Sequence, residues 1–137
     1  MTTRLPQIFG IAALALVALV AAGCTDHSNP DSVDRRSVER WNYLIAHEAE
    51  KAYDYLTPGY RATQTREAYA AAMNNRPVQW KGAKFKQKTC DGERCQVEVD
   101  VTYRLMTPGM GGKAIETTST QAEIWIYSQG NWYFLPN

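Results

Sequence analysis

Three rhythms of apolar and polar residues follow one another along this chain. From Leu5 to Gly23 there is no charged residue, and Ile8 to Ala22 is almost wholly apolar. Further on, Val38, Trp41, Ile45, Ala49, Ala52 and Leu56 recur at helical spacing and form one stripe. Asn29-Pro30-Asp31-Ser32 reads as the start of that helix, and Thr57-Pro58-Gly59 as its stop. A second, shorter helix is predicted with Thr65 as N-cap and Glu67 in its first turn. Tyr69, Ala72 and Met73 supply its apolar contacts, and Asn74, Asn75 and Pro77 close it.

From Val78 the period changes to two. Strands are predicted at about Val78–Thr89, Gln96–Met106, Ile115–Tyr127 and Trp132–Leu135. Asp91–Arg94, the glycine-rich stretch Thr107–Lys113 and Ser128–Asn131 connect them, all hairpin-like, so the sheet is expected to be an antiparallel meander. The predicted class is α+β: two N-terminal helices packed on a curved four-stranded antiparallel meander.

The first rhythm is a targeting signal. Arg4, the apolar run and the small-residue exit Ala21-Ala22-Gly23 have the order of a secretory signal. The run is short for a spanning helix, which needs about 20 residues. Cys24, directly after the small residues, resembles the cysteine of a bacterial lipobox, with Ala21 where that signal usually has leucine. The resemblance implies cleavage before Cys24 and lipidation of its thiol. Thr25, where aspartate would resemble an inner-membrane retention signal, implies the outer membrane, facing the periplasm. The expected organisation is a signal peptide over 1–23, a lipidated cysteine and tether over 24–32, and a single domain over 33–137.

Removing residues 1–23 from 137 leaves 114, enough for one core. Arg4 leaves with the signal, so 14 basic residues face 14 acidic ones. A nucleic-acid binder would show a basic excess, and none is expected as a partner. Cys90 and Cys95 bracket the turn signal Asp91-Gly92-Glu93-Arg94, and in an exported, oxidising setting a disulfide is the preferred reading. Two cysteines with only His27 and His47 in the chain are too few soft ligands for zinc, and no metal or cofactor is expected.

Lys84, Lys86 and Lys88 alternate, as do Glu98 and Asp100 against Val97, Val99, Val101 and Tyr103. Pairing lysines with acids sends every apolar group to one side, so a solvated face of cross-strand ion pairs is preferred over a patch for anionic lipid or polymer. Pairing Cys90 with Cys95 has the wrong parity for that register, so a bulge or an asymmetric turn near Gly92 is expected.

His47 projects away from the helical stripe and is expected in solvent. Glu48 falls on its flank, near Leu44, Trp41 and Tyr55. A partly buried carboxylate there would suit acid–base work; a surface pair with Arg104 or Lys51 is preferred. A two-residue turn at Gln129-Gly130 sets Tyr127 opposite Trp132 and Trp125 opposite Phe134, with Ile126 and Tyr133, and Ile124 and Leu135, on the other face. The helices are expected over Ile124 and Ile126. That would leave Trp125, Tyr127, Trp132 and Phe134 as an interface for a second copy or another envelope protein, with strong curvature of the sheet as the alternative cover.

The element order, with Ala52-Tyr53-Asp54-Tyr55-Leu56-Thr57-Pro58-Gly59-Tyr60-Arg61 as the end and exit turn of the first helix, resembles the cone-shaped nuclear transport factor 2-like proteins. A cystatin-like single helix on a sheet is the rival. The resemblance implies a cavity between helix and sheet, for which Glu48, Trp41, Tyr55 and Tyr103 are the candidate lining, and adds weight to dimerisation through the sheet. The Thr107–Lys113 loop would be a lid over the mouth. The expected function is that of a lipid-anchored envelope protein whose soluble domain binds a partner or a small apolar ligand without chemistry. The alternative is an isomerase- or cyclase-like enzyme with Glu48 or Glu123 as base and Tyr103 as hydrogen-bond donor. No catalytic set is identified.

Overall fold

The computed structural model describes residues 31–106, 109 and 111–137. Helix α1 spans Asp31–Ile45, α2 Ala49–Ala52, a 3-10 turn Tyr53–Tyr55, α3 Pro58–Arg61 and α4 Arg66–Asn74. Strands β1 (Gln79–Asp91), β2 (Arg94–Met106), β3 (Ala114–Ser128) and β4 (Asn131–Leu135) form one antiparallel sheet in the order β1-β2-β3-β4. The α+β class and the meander are as the pattern predicts; the cystatin-like alternative is not observed. The predicted signal, Cys24, the predicted tether before Asp31, and Thr107, Pro108 and Met110 of the predicted lid lie outside the described residues.

The long first helix is broken in two. The His47 amide donates to the Leu44 carbonyl (3.2 Å) and the Glu48 amide to that of Tyr43 (2.8 Å). This is the double closure of a Schellman cap, with His47 in the left-handed position at φ +59°. Glycine usually marks such a stop, so the break carries no compositional signal. It also resets the helical phase. The covered face of α1 is Val33, Ser37, Arg40, Trp41 and Leu44, while Val38 and Ile45 are only half-buried. Thr65 caps α4 as expected, accepting from the Ala68 amide (3.2 Å). Tyr69 and Ala70 are its buried residues; Ala72 is exposed.

Cys95, Val97, Val99 and Val101 of β2 are buried beneath the helices with Trp125 of β3 and Trp132 of β4. The expected assignment of the last hairpin is therefore reversed. Its turn is as read, with Gln129 and Gly130 both at positive φ, and it places Trp125 opposite Phe134 and Tyr127 opposite Trp132. But the aromatic face is the inner one, and Trp125 and Trp132 are fully buried. The β2–β3 register decides this: Trp125 lies opposite Cys95 and Glu123 opposite Val97, so both share the valine face. The set Trp125, Tyr127, Trp132 and Phe134 is core and not an interface. The outer face carries Ile124, Ile126 and Leu135 at one corner and a polar ladder elsewhere.

Lys84 lies opposite Asp100, and Lys86 reaches Thr120 (3.1 Å) and Glu98 (3.8 Å), as a solvated face requires. Lys88 departs from that scheme. The register shifts between Phe85 and Gln87, so the bulge falls at Lys86 and not near Gly92. Beyond it Lys88 sits opposite Val97 on the inner side, where its ammonium pairs with Asp34 of α1 at 2.8 Å. The tight turn at Gly92-Glu93 sets Cys90 opposite Cys95, the bulge at Lys86 reconciles that pairing with Lys84 opposite Asp100, and the two cysteines are joined by a disulfide.

The closed loop is short, so reduction of this bridge is expected to cost about 2 kcal/mol by loop entropy. Denaturant unfolding with and without reductant measures it. A non-reduced digest should give the bridged peptide; free thiols at both positions in protein from an oxidising compartment would refute the pairing.

Candidate functional site

The site grows from a buried ion pair between α1 and β3. Glu123 is read by strand parity as an inner residue, placed between Gln121 and Trp125. It is 3% exposed, and Arg40 above it is 5% exposed. A carboxylate is stable there only if its lone pairs are filled. Arg40 Nη1 donates to Oε1 at 2.8 Å, as does Trp41 Nε1 at 2.8 Å, and Trp125 Nε1 donates to Oε2 at 2.9 Å. The Arg40 guanidinium lies 3.8 Å over the Phe134 ring. The network thus ties α1 to β3 and β4 and holds two indoles in fixed orientations.

Above this floor lies a cleft of ≈ 280 Å³ between the helices and the sheet. Trp41, Leu44, Tyr60, Met73, Trp80 and Phe134 supply apolar walls; Arg76 and Gln121 are polar lining, and Arg40 and Glu123 reach it from below. Trp41 and Trp80 meet edge to face, 5.6 Å apart at 81°. They, with Arg76 and Gln121, also line an adjoining cleft of ≈ 220 Å³ that reaches Val101 and Tyr103.

The four candidate pocket residues are not brought together. Trp41 and Tyr103 share the adjoining cleft. Tyr55 lines a different cleft, beside Tyr43 and Tyr133, and its hydroxyl donates to Glu39 (3.1 Å). Burial first, then the Glu39 charge and that hydrogen bond, push its phenol up to about 12. Glu48 lines none of these clefts. Where a single helix would have pointed it at the sheet, the Schellman break puts it at the start of α2, paired with Lys51 at 2.9 Å. His47 is exposed, as its projection indicated.

Arg40, Trp80, Met73 and Gln121 were not legible as site residues. Glu123 had a signal, because it alternates in phase with Trp125 and Tyr127. Its donors on α1, 82 and 83 residues away, had none. Among the described residues no cluster of three or more His, Cys, Asp or Glu side chains is placed to hold a metal ion.

No family model and no curated protein matches the chain. Solved structures do. A SEC-C motif containing protein from Rhodopseudomonas palustris is similar with a TM-score of 0.58 at 16% identity, over 80% of this chain and 77% of its own. A putative NTF2-like transpeptidase from Campylobacter jejuni is similar with a TM-score of 0.52 at 12% identity, over 80% of this chain and 99% of its own. At such identities the likeness is one of architecture: the domain has a nuclear transport factor 2-like fold.

Proposed function

We propose that the protein is a lipid-anchored envelope component whose domain binds a small apolar group in the cleft between Trp41, Trp80 and Met73, without chemistry on it. The carrying observation is the combination of aromatic and thioether walls with a floor carboxylate whose acceptors are already taken. Aromatic rings and a methionine favour apolar and flat ligands. A general base needs an accessible lone pair near its proton. Both Glu123 oxygens accept from buried donors, one of them the Arg40 guanidinium. Glu48, the other carboxylate considered, is on the surface with Lys51.

A neutral apolar dye, N-phenylnaphthylamine, tests the cleft on the domain from Asp26 onward in detergent-free buffer. Its fluorescence is expected to rise saturably and to be excited through tryptophan. Met73→Arg should weaken binding about tenfold or more by placing a charge in the apolar wall, while Lys84→Ala on the outer face should not. Equal binding to Met73→Arg and the parent would end this reading.

The anchor is tested separately. Cys24→Ser is expected to abolish palmitate labelling and release the protein from membranes, because no acyl chain remains to bury. Unchanged labelling would remove the lipoprotein assignment and leave the cleft argument standing.

A further inference from the structure

The second cleft, ≈ 360 Å³, is built differently from the first. Four parts of the fold converge on it: Arg36 and Tyr43 from α1, Lys51 and Tyr55 from α2 and the turn after it, Arg61 from α3, and Tyr133 from β4. Its lining holds three cations against one carboxylate, Asp54.

That carboxylate is held mainly by Arg66, outside the lining. Arg66 grips it through two nitrogens at 2.6 and 3.0 Å, and Arg61 pairs with it more loosely at 3.9 Å. The Arg66 hydrogen bond holds Asp54 below the usual carboxylate range. Lys51 has its own partner in Glu48.

Arg36 is different. Its Nε donates to the carbonyl of Trp132 at 2.7 Å, a neutral acceptor. Its guanidinium lies 4.5 Å from the Tyr55 ring centroid and 5.8 Å from that of Tyr133. Among the described residues it has no carboxylate within ion-pair range, and its terminal N–H groups have no protein acceptor. Desolvation pulls its pKa below the ordinary arginine value. A half-buried cation with its orientation set by one hydrogen bond and two rings, and with its fork unfilled, is pre-organised for an anion. Arg61, 5.6 Å from the Tyr133 ring, supplies a second guanidinium to the same space.

We infer that this cleft is an anion-binding site, taking a phosphate or carboxylate group carried on a small organic body, with Arg36 and Arg61 receiving the charge and the tyrosines flanking the body. It is independent of the first cleft and needs no chemistry there.

Isothermal titration of the full-length protein in nonionic detergent with phenyl phosphate tests it. Saturable binding that falls with added salt is expected. Arg36→Gln should weaken it about tenfold or more, and Arg61→Gln severalfold, whereas Arg35→Gln on the exposed side of α1 should leave it unchanged. If Arg36→Gln does not fold, Arg61→Gln carries the comparison. Doping the micelles with phosphatidylglycerol identifies the source. Competition with phenyl phosphate assigns the anion to a lipid headgroup, and its absence assigns it to a soluble ligand; both support the site. No saturable binding, or equal affinity in the parent and in the folded Arg36 or Arg61 variants, overturns it.

Discussion

Trp125→Glu is expected to unfold the domain. Trp125 is fully buried, its indole N–H is spent on Glu123 at 2.9 Å, and its ring lies 5.9 Å from that of Phe134. Removing a buried tryptophan costs about 3–5 kcal/mol in packing and cavity. The new carboxylate adds a charge beside the Glu123 carboxylate, with no cation to receive it, since Arg40 is already engaged. Against a total stability of about 5–15 kcal/mol for a domain of this kind, little folded protein should remain. Leu135→Glu is the control: Leu135 is on the outer face and 38% exposed, so its replacement should cost about 1 kcal/mol or less. Near-ultraviolet circular dichroism and urea unfolding of both variants decide the matter. A folded Trp125→Glu protein that merely lost self-association would restore the opposite assignment of the two sheet faces.

The second large effect belongs to Glu123→Leu. The substitution leaves Arg40 as an uncompensated charge, 5% exposed, and strips the acceptor from two indole N–H groups. Removing one member of a buried ion pair typically costs about 3–5 kcal/mol. Arg40→Met combined with Glu123→Leu should be more stable than Glu123→Leu alone, because the stranded charge is gone and only the two indole donors remain unfilled. The recovery, read as the non-additivity in a double-mutant cycle of urea midpoints, measures the pair. If the double variant is as unstable as the sum of the singles, Arg40 and Glu123 are not coupled, and the floor of the apolar cleft is wrongly drawn.

Both predictions rest on one fact of register that the last hairpin cannot supply. Its turn at Gln129-Gly130 is two residues long, so it sets which side chains share a face with no reference to the rest of the protein. The grouping of Trp125, Tyr127, Trp132 and Phe134 was legible for that reason. Which of the two faces turns inward depends on the parity between β2 and β3. The connection there runs from Thr107 to Lys113, and a loop of that length accepts either parity. Only the pairing of Cys95 with Trp125 resolves it.

The candidate site was less legible than the sheet, because its members meet across long stretches of chain. Arg40 and Glu123 are 83 residues apart, and neither carries a local mark of the other. Glu48 was open to two readings, the cleft or a surface pair with Arg104 or Lys51, and the preferred pair is the one formed, with Lys51 at 2.9 Å. The unbroken stripe from Val38 to Leu56 implied one helix, and the stop at His47 lacks the glycine that usually marks a left-handed helix end.

Short-range chemistry therefore accounts for what could be read directly: the Thr65 cap, the tight turns, the strand order and the facing of Cys90 toward Cys95 are each set by a few adjacent residues. The packing of distant elements accounts for the rest. Burial of the valine face under α1 selected the aromatic side of the last hairpin, and the bulge at Lys86 turned Lys88 inward to Asp34. The break at His47 moved Glu48 out of the cleft and left Glu123 as its floor. Contacts made in the folded domain chose between these local alternatives.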